Sequence, residues 1–193
     1  MISLHIIVDF CPQERLDRAL LYLIHTKVPT VNIAAGAQLD RGMQFAERVR
    51  QALPNIVIQF RLLEDTGIVV KLAPDEWYAR YVQPRQTWLI INKITLVVDN
   101  ETSGDDNIIK TYVDHETTIA QKLHTIGLGG VFCRFATGNI QEAQYALLKP
   151  LLSVLTDKDW LGPNEYSNIP GHSSGGHLER YKRIEAVMPD KRF

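Results

Sequence analysis

The sequence lacks several features that would assign a class of protein at once. It has only two cysteines, Cys11 and Cys133, in 193 residues, and their spacing matches no zinc or redox motif. We therefore expect free thiols, which favour a reducing compartment such as the cytoplasm. No apolar run reaches the roughly 18 residues of a membrane-spanning helix, and the N-terminus has no signal-peptide pattern. These absences predict no membrane partner.

The sequence also lacks an excess of positive charge. Lysine and arginine number 21 against 22 acidic residues, a net charge of -1, whereas nucleic-acid sites concentrate basic residues. We therefore predict no nucleic-acid partner. The turn DFCPQE after the first predicted strand has no glycine-rich phosphate loop, and no cofactor is expected. His172 and His177 lie in a Gly/Ser loop with no carboxylate at ligand spacing, so no metal site is predicted.

What the sequence does contain is a regular alternation of apolar strand-like segments with amphipathic helical segments. This pattern is typical of a parallel sheet covered by helices, here as a single domain over 1–193. Two architectures fit: a (β/α)8 barrel of TIM type with about six of its eight units present, or an open doubly wound sheet. The predicted strands are 4–10, 30–36, 56–63, 93–99, 130–138 and 159–167, and the predicted helices are 12–26, 39–53, 74–82, 115–127, 140–155 and 175–188.

The chemistry of a parallel barrel lies at the carboxyl ends of its strands. An Asn-Glu pair follows an apolar strand twice, in VVDNE and in LGPNE, so two carboxylic acids are expected at this edge. Paired carboxylates suit the cleavage of glycosidic bonds, because one acid protonates the leaving oxygen and the second attacks or activates water. The first pair is Asn100 and Glu101, and the second is Asn164 and Glu165 followed by Tyr166.

The pair at the end of strand four resembles the large clan of retaining (β/α)8-barrel glycoside hydrolases. The resemblance implies that Glu101 is the acid/base and that Asn100 holds the sugar 2-hydroxyl. Arg61 would match the strand-end arginine that supports the nucleophile. LGPNEYSN followed by GGHLERYKRI also resembles glycosidase-like barrels of bacterial and phage proteins, with Asn164 where a histidine is expected. The substrate-binding residues predicted in this way are Asn100, Arg61, Trp160, Asn164, Glu165 and Tyr166.

The resemblance also predicts a nucleophilic Glu after a seventh strand, and the sequence ends at MPDKRF where that strand would begin. We therefore expect a C-terminally incomplete barrel, or a degenerate one without a nucleophile. An incomplete barrel would belong to a glycoside hydrolase, which binds and cleaves carbohydrate when the barrel is complete. The degenerate barrel would be a non-catalytic module that binds a glycan or acts as a scaffold, including one associated with phage. Strand edges exposed at strands one and six would favour oligomers or closure by a partner.

Each candidate residue also has a purely structural interpretation. Glu101 and Glu165 fit ordinary polar turns, and Arg61 fits an outward-facing strand position. Asp9 follows strand one, where it would equally serve as the N-terminal cap of the helix that begins PQERL. Trp160 stands just before LGPNE and is therefore the tryptophan best placed to meet a sugar ring.

Overall fold

The fold is described from a computed structural model, which describes residues 3–62, 72–98, 105–134 and 142–162. Six strands form one sheet in which every neighbouring pair is parallel. The α/β class and the parallel sheet are thereby confirmed, and the sheet is not closed within these residues. The strands are β1 Ser3–Ile7, β2 Thr30–Ala35, β3 Val57–Leu62, β4 Ile94–Val97, β5 Gly130–Phe132 and β6 Trp160–Leu161.

The described helices connect these strands at most of the predicted places. A short 3₁₀ turn over Val8–Phe10 follows β1. A π-helical turn over Tyr78–Val82 and a 3₁₀ turn over Gln83–Arg85 lie between the third and the fourth α-helix. A 3₁₀ helix over Glu142–Leu148 leads into the last described helix. The α-helices are α1 Gln13–Thr26, α2 Leu39–Ala52, α3 Pro74–Trp77, α4 Gln86–Ile91, α5 Asp106–Thr125 and α6 Lys149–Val154.

The predicted start of the fourth helix at residue 115 is wrong, because α5 begins at Asp106. The Asp105 carboxylate caps this start by accepting hydrogen bonds from the backbone N–H groups of Asn107 and Ile108. The predicted helix over 140–155 is divided in the structure, because the 3₁₀ helix over Glu142–Leu148 precedes α6. Pro150 lies in the first turn of α6, where its missing N–H group leaves no helical hydrogen bond unmade.

The two faces of the sheet are covered differently. Alternate strand residues such as Ile33, Phe60 and Leu96 belong to one large core that also contains the buried side chains of every described α-helix. Val97, Val131 and Trp160 point to the other side and form a separate small cluster without helix residues. We call this second side, which carries every other strand residue from His5 and Ile7 to Trp160, the inner face.

The strand order follows the order of the chain from β1 to β6. A doubly wound sheet requires a reversal of strand order and helices on both faces. Within the described residues neither feature is present, so the doubly wound alternative is wrong for this part of the chain. Close packing of helix on sheet is illustrated by Gly42 in α2, where an added Cβ would lie 2.5 Å from Cβ of Ala35.

Both ends of the described sheet are edges, since β1 pairs only with β2 and β6 only with β5. Beside the β1 edge an open groove of about 650 Å³ is lined by β1 and α1, including Ile7 and Tyr22. Phe10 at its rim is 80% exposed. Association through these edges stays a prediction. No helix among the described residues is long and apolar enough to cross a membrane.

Candidate functional site

The inner face carries a row of polar side chains at one level of the sheet. The strand register places His5 beside Asn32, Asn32 beside Gln59, and Gln59 beside Thr95. Each residue stands between two apolar neighbours that point into the helix-covered core. Four neighbouring strands therefore present hydrogen-bonding groups at the same height on the same side.

Asn32 and Gln59 lie closest to the centre of this polar row. The Asn32 amide donates a weak hydrogen bond from Nδ2 to Oε1 of Gln59 at 3.4 Å. The Oδ1 atom of Asn32 is buried and has no hydrogen-bond partner in the described part of the chain. A buried acceptor without a donor is unfavourable, so this oxygen is a candidate contact for a ligand hydroxyl.

One level nearer the carboxyl ends of the strands lies a second row, which contains two of the predicted site residues. Arg61 pairs in register with Val97, Val97 with Val131, and Val131 with Trp160. Arg61 is 8% exposed and Trp160 is 9% exposed. Arg61 thus lies on the inner face and not on the helix side of the sheet, and its substrate-binding role and that of Trp160 stay predictions.

The electrostatic environment of His5 connects the polar row with this second row. Much of the His5 residue is exposed, but part of its ring is shielded from water by neighbouring groups. This partial burial lowers the pKa of His5 from the ordinary value of 6.5. The positive charges of Arg61 and, more weakly, Arg134 lower this pKa further. A histidine with a lowered pKa is neutral near pH 7, where its ring offers one donor and one acceptor.

Arg134 lies near Gly162 on the same side as the inner-face residue Val131, and an unusual turn precedes it at the end of β5. Cys133 has a positive φ of 59°, a left-handed conformation that is uncommon for a residue with a side chain. Its backbone N–H donates to both carboxylate oxygens of Glu116 on α5, at 3.1 Å each. Glu116 is fully buried. Burial of the Cys133 thiol raises its pKa, and the negative charge of the nearby Glu116 raises it further.

Asp9 has a different role from the one that its position after strand one predicts. Its carboxylate accepts backbone hydrogen bonds from Gly36, Ala37 and Gln38 at 3.0–3.1 Å. It therefore caps the turn before α2, while α1 begins at Gln13 and its N-cap residue Pro12 provides no side-chain cap. The expected capping of α1 is therefore wrong, and Asp9 instead joins the end of β1 to the start of α2 through three backbone N–H groups.

The predicted catalytic pair falls outside the described residues. Asn100 and Glu101 follow β4 in the sequence, and Asn164, Glu165 and Tyr166 follow β6, so their roles stay predictions. His172 and His177 also lie outside the described residues. Within the parts of the chain that the structure describes, no three His, Cys, Asp or Glu side chains are grouped so that they could hold a metal ion.

The polar row was missed from the sequence because only strand ends were considered. The signal is present in the triplets LHI, VNI, IQF and ITL, each with a polar residue between apolar ones near the middle of a strand. Such a residue points away from the helix-covered face in every case. Aligning these triplets across the four strands would have found His5, Asn32, Gln59 and Thr95 together.

Comparison with known proteins gives no further assignment of this site. No protein-family model, no curated protein and no solved structure matches the chain.

Proposed function

We propose that this chain binds carbohydrate on the inner face and that, in a complete (β/α)8 barrel, the same site hydrolyses glycosidic bonds. The polar row is the observation that carries this proposal. His5, Asn32 and Gln59 offer neutral donors and acceptors side by side, which suits the closely spaced hydroxyl groups of a sugar ring. Arg61 and Trp160, one level nearer the strand ends, supply a charged group and an aromatic group.

The barrel architecture in this proposal is supported by the arrangement of the described layers. All described α-helices contribute to a core on one side of a parallel sheet whose strands follow chain order. Units of this kind, repeated eight times, form a TIM barrel, in which the opposite side of the sheet becomes the interior. The inner face would then be the barrel interior, with Arg61 near its active end.

The catalytic part of the proposal assigns Glu101 as the acid/base and Asn100 as its hydroxyl-holding partner. Both follow β4, whose Val97 pairs with Arg61 on the neighbouring strand. A retaining mechanism also needs a second carboxylate, roughly 5–5.5 Å from the first, as nucleophile. The resemblance to the glycoside hydrolases puts that residue after a seventh strand. A non-catalytic glycan-binding or scaffold module remains the alternative, because the polar row supports binding but contains no carboxylate.

Binding is tested by calorimetric titration of the chain with a panel of oligosaccharides, with Gln59→Ala as the site variant. Loss of hydrogen bonds to a sugar should weaken binding about tenfold. The matched control is Gln51→Ala on the exposed surface of α2, which should bind like the unmodified protein. Equal affinities for the two variants would show that the inner face is not the sugar site.

Hydrolysis is tested by release of nitrophenol from nitrophenyl glycosides with the longest form of the protein that its reading frame encodes. Glu101→Gln should lower kcat by about 10²–10⁴-fold, since it removes the proton donor. Glu14→Gln, which changes an exposed carboxylate of α1, is the matched control. Sugar binding without any hydrolysis by the unmodified protein would favour the non-catalytic alternative.

A further inference from the structure

We propose that the ligand of the inner face is a glycoside with an apolar aglycone, and that the groove between β1 and α1 binds this apolar part. The proposal rests on the proposed carbohydrate function and adds the chemical class of the ligand. Three features carry it: a residue shared by the polar row and the groove, exposed apolar side chains along the groove, and a fixed turn that presents one of them.

The groove beside β1 continues directly from the polar row. His5 stands at the β1 end of that row, in register with Asn32, and it also lines the groove. Ile7 lies two residues further along β1, on the same face as His5, and it lines the groove too. A sugar that contacts His5 would therefore have its aglycone at the groove.

The groove has the size and the lining of a small-molecule site. Its volume of about 650 Å³ falls in the range of such sites, roughly 300–1,000 Å³. Three large apolar side chains that line it, Ile7, Phe10 and Tyr22, are 37%, 80% and 53% exposed. Large apolar side chains exposed side by side are a sign of a binding surface, unlike those scattered singly.

One side of α1 is shaped for this groove. The four lining residues of α1 are spaced as i, i+3, i+4 and i+7, which puts them on one side of the helix. They are Arg15, Arg18, Ala19 and Tyr22. The buried residues Leu16 and Leu23 belong to the core side of the same helix. The helix therefore has a second, partly apolar side that no described element covers.

Phe10 is exposed although it stands on a firmly held turn. Val8 in the same 3₁₀ turn is fully buried, and the Asp9 carboxylate binds the backbone N–H groups of residues 36–38. The N–H group of Cys11 donates to the carbonyl oxygen of Val8 at 3.1 Å. The backbone under the phenyl ring is thus fixed before a ligand arrives, which lowers the entropy lost on binding.

A small apolar group suits this groove better than another β-strand does. The β1 edge offers only five residues, Ser3–Ile7, and short edge strands beside charged side chains resist pairing. Arg15 and Arg18 line the groove next to this edge, and Arg18 is paired with Glu14. A strand laid along β1 would bury these charges. An apolar aglycone can lie on the arginine stems and leave the guanidinium groups in water.

The test is calorimetric titration of the unmodified chain with the methyl, hexyl and phenyl β-glucosides and with the matching β-galactosides. Free 1-hexanol and phenol are titrated separately. For one of the two sugars, we expect the hexyl or phenyl glycoside to bind about tenfold more tightly than the methyl glycoside. It should also bind more tightly than the free alcohol or phenol, since the sugar contributes contacts of its own.

Three variants on exposed positions assign this preference to the groove. Phe10→Ala and Tyr22→Ala should each reduce the preference for the hexyl or phenyl glycoside several-fold. Leu21→Ala is the matched control, because Leu21 is 66% exposed on α1 and is not among the residues that line the groove. Circular dichroism checks that each variant folds. If one groove variant does not fold, the other still assigns the preference.

The outcomes separate this inference from the function on which it rests. Equal affinities for the methyl, hexyl and phenyl glycosides would overturn the aglycone site and leave carbohydrate binding standing. Binding of hexanol or phenol without binding of any glycoside would overturn both. A preference that survives both groove variants would overturn the assignment to the groove, and no binding of any probe would overturn the inference.

Sedimentation of the unmodified chain tests for a second copy in the groove. A dimer that Phe10→Ala converts to a monomer, and that binds none of the glycosides, would show that the groove is an interface between copies. That result would overturn the aglycone site. A chain that sediments as a monomer and binds the hexyl or phenyl glycoside preferentially would support it.

Discussion

The two faces of the sheet are held in place by different forces. The helix-covered face is apolar, and its side chains belong to one core that reaches from Ile6 on β1 to Leu161 on β6. The inner face combines a small apolar cluster around Trp160 with a polar row and two arginines. Burial of apolar surface stabilises the first face without demanding particular residues. The second face depends on the directions of individual polar groups, which is characteristic of binding sites.

The largest expected effect comes from comparing Phe60 with its chain neighbour Gln59, because they lie on opposite faces of β3. Phe60 is 1% exposed in the helix-covered core, and Phe60→Ala should lower the free energy of unfolding by about 3–5 kcal/mol. Gln59→Ala should lower it by less than about 1 kcal/mol. Urea unfolding of both variants measures the difference. Similar losses at the two positions would contradict the division into a structural face and a binding face.

An intermediate effect is expected for Glu116→Gln, which tests whether a residue in the helix layer acts on the inner face. The amide keeps one acceptor oxygen but loses the charge that binds the Cys133 N–H, which should cost about 1–3 kcal/mol of stability. If Arg134 also moves away, the pKa of His5 should rise toward 6.5. Proton NMR of the His5 ring measures this. A loss of stability with an unchanged His5 pKa would show that Glu116 is structural only.

The smallest expected effect is a difference in how salt changes the pKa values of two histidines, one on each side of the sheet. Burial lowers the pKa of His115, which contacts Trp77 in the helix layer, against an opposing backbone hydrogen bond at Leu72. Burial also lowers the pKa of His5, but there Arg61 and Arg134 contribute. Salt weakens the interaction between charges but does not change how deeply a ring is buried. About 1 M NaCl should therefore raise the pKa of His5 and leave that of His115 nearly constant. NMR titration at low and high salt compares them.

The same two pKa values fix the direction of a stability change with pH. Each histidine binds a proton less readily in the folded chain than at the ordinary value of 6.5 in the unfolded chain. The unfolded state therefore gains protons first, and stability should fall as the pH drops below about 6.5. His115→Gln should reduce this dependence if it still folds, and an unfolding free energy that does not change between pH 7 and 5 would contradict the assignment.

The sequence predicts the parallel α/β class because each strand carries apolar residues and each connecting helix has one apolar side. It predicts Arg61 and Trp160 as residues near the strand ends, and the structure places both in one row of the inner face. The cap at Asp105 and the turn at Cys133 were not predicted. A cap depends on which of several aspartates meets an N–H group, and the turn depends on a glutamate 17 residues away.

The polar row illustrates a different limit of prediction. A single polar residue in an apolar strand is common, and its meaning emerges only when neighbouring strands are aligned in register. His5, Asn32 and Gln59 are separated by 27 residues each, so no local pattern connects them. Parallel pairing between successive units brings them together, and that pairing is a property of the fold.

The chain-order arrangement of the strands also has a consequence for synthesis on the ribosome. Within the described sheet, each strand pairs only with strands adjacent to it in the sequence, so each of these β–α units can add to the sheet as it emerges. Asp9 contacts Gly36, Ala37 and Gln38, which joins the first unit to the second across fewer than thirty residues. A nascent chain of about fifty residues would already contain both strands and this link. We expect protease protection to begin at the N-terminus and to advance one unit at a time.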